Sequence, residues 1–136
     1  MKTSQKVGIA YTLVNNMLEK NEKWINLEKS NYVGSVFNST NTGEYPYDNI
    51  FVHATSKNKI LCIGKYESRY YTDEDKFYSD YYYFFSFGSV EGDKITSLET
   101  VTETDFGGNV KLEKLYSKAS LSNMDIDFDD IENSFF

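Results

Sequence analysis

Residue types that build catalytic and metal sites are scarce in this chain of 136 residues, which has one cysteine, one histidine and one proline. A single cysteine cannot form an intramolecular disulfide, which agrees with a reducing compartment. Zinc needs three or four close ligands, so a site built from cysteine and histidine is excluded. The chain has no apolar run near the roughly 18 residues of a membrane span, and its first residues lack a signal-peptide pattern. We therefore expect a cytoplasmic protein that is not bound to a membrane and has no cofactor.

Catalytic motifs are equally sparse. His53, the only imidazole, would lie near Cys62 across a predicted hairpin, but no third residue is identifiable to orient such a Cys–His pair. The acids near the C-terminus begin like a calcium loop, yet Asp130 stands where that loop needs glycine. Phosphate-binding glycine motifs are absent. The sequence therefore predicts that the protein is not an enzyme and holds no metal.

Aromatic residues, by contrast, are abundant, and 12 of them are tyrosines that can lie half in water. Aromatic and β-branched residues favour strands, so residues 81–90 and 95–104 predict a long hairpin. Gly92-Asp93 suits a two-residue turn between its strands. The resulting register pairs Glu91 with Lys94, Phe87 with Leu98, and Phe84 with Val101.

The rest of the chain predicts one helix followed by several strands. Apolar residues at helical spacing predict a helix over 4–20, with Thr3 or Ser4 as the N-cap. The predicted fold is thus α+β in a single domain spanning 1–136, with the N-terminal helix packed on a curved, mostly antiparallel meander of about five or six strands. The further strands are predicted over 32–37, 50–55, 59–66 and 110–119, with a tight turn at 56–58 and polar connections over 38–49 and 67–80.

The C-terminal segment 121–136 combines acids with apolar residues. Met124, Phe128, Ile131 and Phe135 are spaced by four, three and four residues, which predicts an acidic amphipathic helix. Strict alternation over 125–129 also fits a strand, and an unstructured acidic tail is the third alternative.

Charge is distributed unevenly between the two halves of the chain. Residues 1–66 hold eight lysines and five acids, a net +3, whereas residues 67–136 hold six basic residues and sixteen acids, a net −10, which together give −7. Such a field disfavours nucleic acid, whose binding depends on Lys and Arg contacts to phosphates. It favours a cationic protein partner, which long-range attraction would steer. The only arginine, Arg69, could clamp a carboxylate or stack on a ring, although a solvated loop position is the simpler interpretation.

These observations lead to three hypotheses of function. The first is an acidic, non-catalytic binding protein that neutralises a basic partner, and in composition it is similar to bacterial immunity proteins and phage inhibitors of nucleases. The second is a small-ligand-binding or enzymatic domain similar to cystatin-like cone folds, with Tyr82, Tyr83 and Phe84 lining its pocket. The third is a structural or self-assembling subunit that uses the aromatic hairpin as an interface. For the first hypothesis, the partner-binding residues would be Tyr70, Tyr71, Asp73, Glu74, Asp75, Tyr78, Asp80, Asp125, Asp127, Asp129, Asp130 and Glu132.

Overall fold

The computed structural model describes residues 1–32 and 40–123, and every structural statement below concerns these residues. Residues 121–123 of the predicted acidic tail are described and lie in a helix, whereas 124–136 lie outside the described residues, as does the strand predicted over 32–37 apart from Tyr32. The described elements, in chain order, are α1 (Thr3–Glu19), β1 (Ile25–Asn26), a short 3₁₀ helix (Leu27–Lys29), β2 (Tyr45–Pro46), β3 (Phe51–Ala54), β4 (Lys59–Asp73), β5 (Lys76–Glu91), β6 (Lys94–Thr102) and α2 (Val110–Asn123).

The strands form one antiparallel sheet. Its order is β1-β3-β4-β5-β6. Strand β3 pairs with residues 60–63 of β4, and β2 pairs with residues 66–67 of the same strand. The two helices contact each other and the sheet. The predicted α+β fold, with an N-terminal helix and a six-stranded antiparallel sheet, is therefore confirmed.

Helix α1 forms where its periodicity predicts it. Its buried residues are Ala10, Val14 and Met17, which recur at spacings of four and three and face the core. The predicted N-cap is wrong, because the helix begins at Thr3 and the backbone N–H of Lys2 donates to Gln5 Oε1 at 3.3 Å.

Apolar side chains cover both faces of the sheet. The helix side, which packs against α1 and α2, contributes Ile63, Phe85 and Val101 to one core cluster. The opposite side contributes Cys62 and Phe84 to a second cluster, which also includes Leu27. Because successive strand residues point to opposite faces, the aromatic run of β5 supplies rings to both clusters. Neither face of this strand is fully solvated, since Phe84 and Phe85 point to opposite faces and are both fully buried.

The strand predicted over 110–119 is wrong, because this segment belongs to helix α2. Its buried residues are Leu112, Leu115 and Ala119, which lie on one face of a helix at spacings of three and four. Leu115 does not fit the alternation of apolar and polar residues that begins at Val110. Four alternating residues at the start of the segment are too few to distinguish a strand from a helix.

The register predicted for the β5–β6 hairpin is correct at the turn and wrong beyond it. Glu91 faces Lys94, as predicted, and Gly92 has a positive φ of 62°. A bulge at Thr96 then shifts the pairing by one residue, and the Thr96 hydroxyl donates to the Ser89 carbonyl at 3.2 Å. One extra residue in one strand shifts every later pair of the hairpin by one residue. The observed pairs are Phe87 with Glu99, Gly88 with Leu98, Phe85 with Val101, and Phe84 with Thr102.

Candidate partner-binding arm

The hairpin of β4 and β5 extends beyond the rest of the sheet. We call residues 68–80 the arm, because their two strands pair with each other and with no third strand among the described residues. The prediction of a polar connection over 67–80 is therefore wrong. The strands continue through this segment and turn at Glu74-Asp75. At about 3.3 Å per residue, the arm is about 20 Å long.

A ladder of aromatic rings runs along the opposite side of the sheet, from the core to the arm. It begins at the buried Phe84, whose ring centroid lies 6.4 Å from that of Tyr66. Tyr66 stacks on Tyr82 at 5.5 Å, and the Tyr82 hydroxyl lies 3.3 Å from the Tyr70 hydroxyl. Tyr70 stacks on Tyr78 at 5.1 Å. These contacts connect an exposed surface to the core and give the arm a defined conformation before any partner binds.

The hydrogen bond between the two hydroxyls affects the chemistry of the ladder. The interaction with Tyr70, more than partial burial or the nearby Asp80 carboxylate, raises the pKa of Tyr82 to about 12. The Tyr82 phenol therefore stays neutral at physiological pH. Its hydroxyl remains a donor and acceptor at the base of the arm, which suits amphipathic contact with a protein surface.

Arg69 organises the helix side of the arm. Its Nε donates to Glu67 Oε1 at 2.8 Å, and the same oxygen accepts from Ser79 Oγ at 2.6 Å. The guanidinium carbon lies 4.0 Å from the ring centroid of Tyr45 and 4.6 Å from that of Phe77. The hydrogen bonds from Arg69 and Ser79 lower the pKa of Glu67. The interpretation of Arg69 as a solvated loop residue is wrong, because this side chain joins β2 to both strands of the arm.

Acidic residues cluster at the tip of the arm. The arm holds four acids and two basic residues. Among the described residues, Arg69 forms an ion pair with Glu67, and His53 Nε2 lies 3.9 Å from Glu22 Oε2. Neither contact uses an acid of the arm. The lysines of the N-terminal half therefore do not neutralise these carboxylates through ion pairs. The acids concerned are Asp73, Glu74, Asp75 and Asp80, and all four are exposed.

The structure brings together seven of the twelve predicted partner-binding residues, and the five acids of the tail lie outside the described residues. Tyr70, Tyr78 and Asp80 share the opposite side of the arm, whereas Tyr71 lies on the helix side. The tip carries Asp73, Glu74 and Asp75.

Sequence reasoning missed three exposed rings beside this set, Tyr45, Phe77 and Tyr81, which are 47%, 44% and 49% exposed. A signal for Phe77 was present. Strand-forming aromatic pairs flank the Asp-Glu-Asp segment on both sides, which is the pattern of a hairpin with a polar turn.

The structure does not support the catalytic pair considered for His53 and Cys62. Across the β3–β4 hairpin, His53 faces Leu61 and Val52 faces Cys62, so the imidazole and the thiol lie on opposite faces of the sheet. His53 Nδ1 is 2.9 Å from the carbonyl oxygen of Lys23. Burial raises the pKa of the Cys62 thiol to about 12, so the nucleophilic thiolate is not formed near neutral pH.

The buried thiol predicts a specific loss of stability in alkali. Because the pKa of Cys62 is raised from 9.0 to about 12, the unfolded chain releases this proton first. The stability that the buried, protonated thiol contributes to the folded state is fully present below about pH 9 and is lost as pH rises towards 12. At pH 11 the wild type should lose roughly 2–3 kcal/mol of unfolding free energy that Cys62→Ala does not lose. Urea titrations of both proteins at pH 8 and pH 11 measure this difference, and parallel losses would contradict it.

The pocket predicted for the cone-fold hypothesis does not form as described. Tyr83 lies on the helix side, where it contacts Tyr116, while Tyr82 and Phe84 lie on the opposite side. The three side chains therefore cannot line one cavity.

Across residues 1–32 and 40–123, no group of three or more histidine, cysteine or acidic side chains is arranged to hold a metal ion. The helices of the same residues include none long and apolar enough to cross a bilayer. No protein family, curated protein or solved structure matches this chain.

Proposed function

We propose that this protein is a non-catalytic binding protein whose arm docks onto a basic protein and blocks it, as an immunity-type inhibitor blocks a toxin or nuclease domain. The observation that carries the proposal is the arm itself, a preformed hairpin on which exposed aromatic rings stand beside acids that form no ion pair within the described part of the chain.

The exposed rings of the arm and its base supply the apolar part of an interface. Tyrosine is enriched at the energetic centres of protein interfaces. A fully buried ring contributes roughly 150–250 Å², and about half of each ring here remains exposed. Five such rings supply roughly 500 Å², which is more than half of the roughly 800 Å² that one partner buries in an interface of standard size. The rings are Tyr70, Tyr71, Phe77, Tyr78 and Tyr81.

The two-sided arrangement of the rings favours a cleft as the docking surface. Tyr70 and Tyr78 lie on one side of the arm, and Tyr71 and Phe77 lie on the other. A flat partner surface would contact one side only, whereas a cleft contacts both sides and the acidic tip between them. Enzymes that act on nucleic acid have clefts lined by basic residues. The carboxylates of the tip could occupy phosphate positions in such a cleft.

The rigidity of the arm supports tight binding. Association costs free energy for each side chain that must be ordered, and preorganised side chains reduce this cost. The aromatic ladder on one side and the Arg69 cluster on the other hold the rings in place in the free protein.

The proposal predicts salt-sensitive capture of a basic protein. The immobilised protein is exposed to a lysate of its source organism, beside a variant with Asp73→Asn, Glu74→Gln and Asp75→Asn. The wild type should retain a protein with a basic domain and release it as salt rises from about 0.05 to about 0.5 M, because screening weakens interactions between exposed charges. The variant should retain much less. Equal retention by both proteins would contradict the proposal.

A second step tests inhibition. The captured protein is assayed for nuclease or other toxic activity with increasing amounts of this protein. Stoichiometric loss of activity supports an immunity-type role, and full activity in the complex would contradict it.

A further inference from the structure

A separate cleft lies at the end of the sheet remote from the arm. It has a volume of about 350 Å³ and lies between α1, the start of β4 and the end of β5. Ligand pockets span roughly 300–1,000 Å³, so this cleft suits a small molecule. Its lining includes Leu13 of α1, Lys59 and Leu61 of β4, Phe87 of β5, and Thr55 and Lys57 of the β3–β4 turn.

The walls of the cleft are apolar. Leu61 belongs to the helix-side core, and Leu13 and Phe87 are partly buried against it. Side chains of this kind hold a hydrocarbon by removing its surface from water, which contributes about 0.8 kcal/mol for each buried methylene group.

The rim of the cleft is cationic. Lys57 and Lys59 are exposed, and Lys59 Nζ donates to Ser89 Oγ at 2.8 Å, which holds this ammonium group beside the end of β5. Residues 54–61 contain two lysines and no acid, in a chain whose net charge is −7. Glu91, two residues beyond Ser89, faces Lys94 in the strand register.

Thr55 adds a hydrogen-bond donor to this rim. Its Oγ1 accepts the backbone N–H groups of Lys57 and Lys59 at 3.2 and 3.3 Å. Both bonds use the oxygen as an acceptor, so the hydroxyl proton can be donated to a ligand oxygen.

We propose that this cleft binds a linear aliphatic carboxylate of medium chain length. The alkyl chain lies along Leu13, Leu61 and Phe87, and the carboxylate accepts hydrogen bonds from the lysines and from the Thr55 hydroxyl. Charge-assisted bonds of this kind are stronger than neutral ones, so the cleft selects an anionic head group over neutral or cationic ones. The site is independent of the arm and of the partner proposed for it.

The test compares three probes that share one alkyl chain: decanoate, decanol and decylammonium. Isothermal titration of the full chain with each should give decanoate the highest affinity, by about tenfold over decanol and more over decylammonium. Equal affinity for decanoate and decylammonium, or no measurable binding of decanoate, would overturn the proposal.

Three variants locate the binding. Lys57→Met with Lys59→Met should weaken decanoate binding about tenfold and leave decanol unchanged, since only the anionic head group uses the lysines. Leu13→Trp should fill the cleft and abolish binding of both, with circular dichroism confirming that it folds. Lys94→Met, a matched surface charge outside the lining, should bind decanoate like the wild type. Full binding by the Leu13→Trp variant would show that the ligand lies elsewhere and would reject the site.

Discussion

Replacing Gly88 with alanine is expected to destabilise the fold by about 3 kcal/mol or more. A Cβ atom at this position would lie 1.9 Å from the carbonyl oxygen of Ser97, 2.8 Å from its carbonyl carbon and 2.9 Å from Leu98 Cα. All three are backbone atoms of β6, so no side-chain rotation can relieve the contact. Strand β6 would have to move away from β5, which would disturb the core contacts of Val101.

Two other glycines provide matched controls. A Cβ at Gly64 would lie 2.8 Å from Ile50 Cγ1 and 3.2 Å from both Ile50 Cα and Phe84 Cε1. These overlaps are smaller than those at Gly88, so Gly64→Ala should cost less than Gly88→Ala. A Cβ at Gly8, in helix α1, meets nothing within 4 Å, so Gly8→Ala should stabilise by up to about 1 kcal/mol. Chemical denaturation followed by circular dichroism measures all three variants. A Gly88→Ala protein within about 0.5 kcal/mol of the wild type would contradict the described β5–β6 pairing.

Removing the stacked tyrosines of the arm should have the largest effect on partner binding. Tyr70 and Tyr78 are 39% and 57% exposed and form the outer end of the aromatic ladder. Truncating a tyrosine at the centre of an interface weakens the binding free energy by about 2–4 kcal/mol. We expect Tyr70→Ala with Tyr78→Ala to weaken binding of the captured partner at least about thirtyfold, measured by surface plasmon resonance.

Tyr11 provides the control for this loss. It is 47% exposed on helix α1 and lies outside the arm. Tyr11→Ala should bind the partner with nearly wild-type affinity. The two arm substitutions remove the stacking of Tyr70 on Tyr78, which is worth about 0.5–1.5 kcal/mol, and leave the buried core unchanged. Wild-type affinity in the double variant, or equal losses in both proteins, would show that the arm is not the docking surface.

The parts of the fold that the sequence predicts well are those with a clear period and a recognisable turn. Helix α1 has its apolar stripe, and Gly92-Asp93 defines one hairpin. Ser56-Lys57-Asn58 defines another, in which Asn58 has a positive φ of 60°. The β-bulge at Thr96 has no comparable signal, because it depends on how two strands pack and not on a preferred residue. The register beyond it could not be derived from the chain alone.

Seven of the residues proposed for docking were predicted to lie in a polar connection, and the structure places them in a hairpin. The acids and tyrosines of residues 70–80 indicated a docking surface, but the charges of Asp73-Glu74-Asp75 favoured a loop over a strand. Cross-strand stacking of Tyr70 on Tyr78, and the cation–π contacts of Arg69, stabilise a hairpin there. These are contacts between residues on different strands, and no local pattern reports them.

Hydrogen exchange in the complex tests the central claim most directly. Backbone amides of the free protein and of its complex with the captured partner are compared by mass spectrometry. The proposed docking predicts that the largest gain in protection lies in residues 68–80, with smaller changes over α1 and α2. A complex in which the arm exchanges as in the free protein, while another surface becomes protected, would contradict the claim that the arm is where this protein binds its partner.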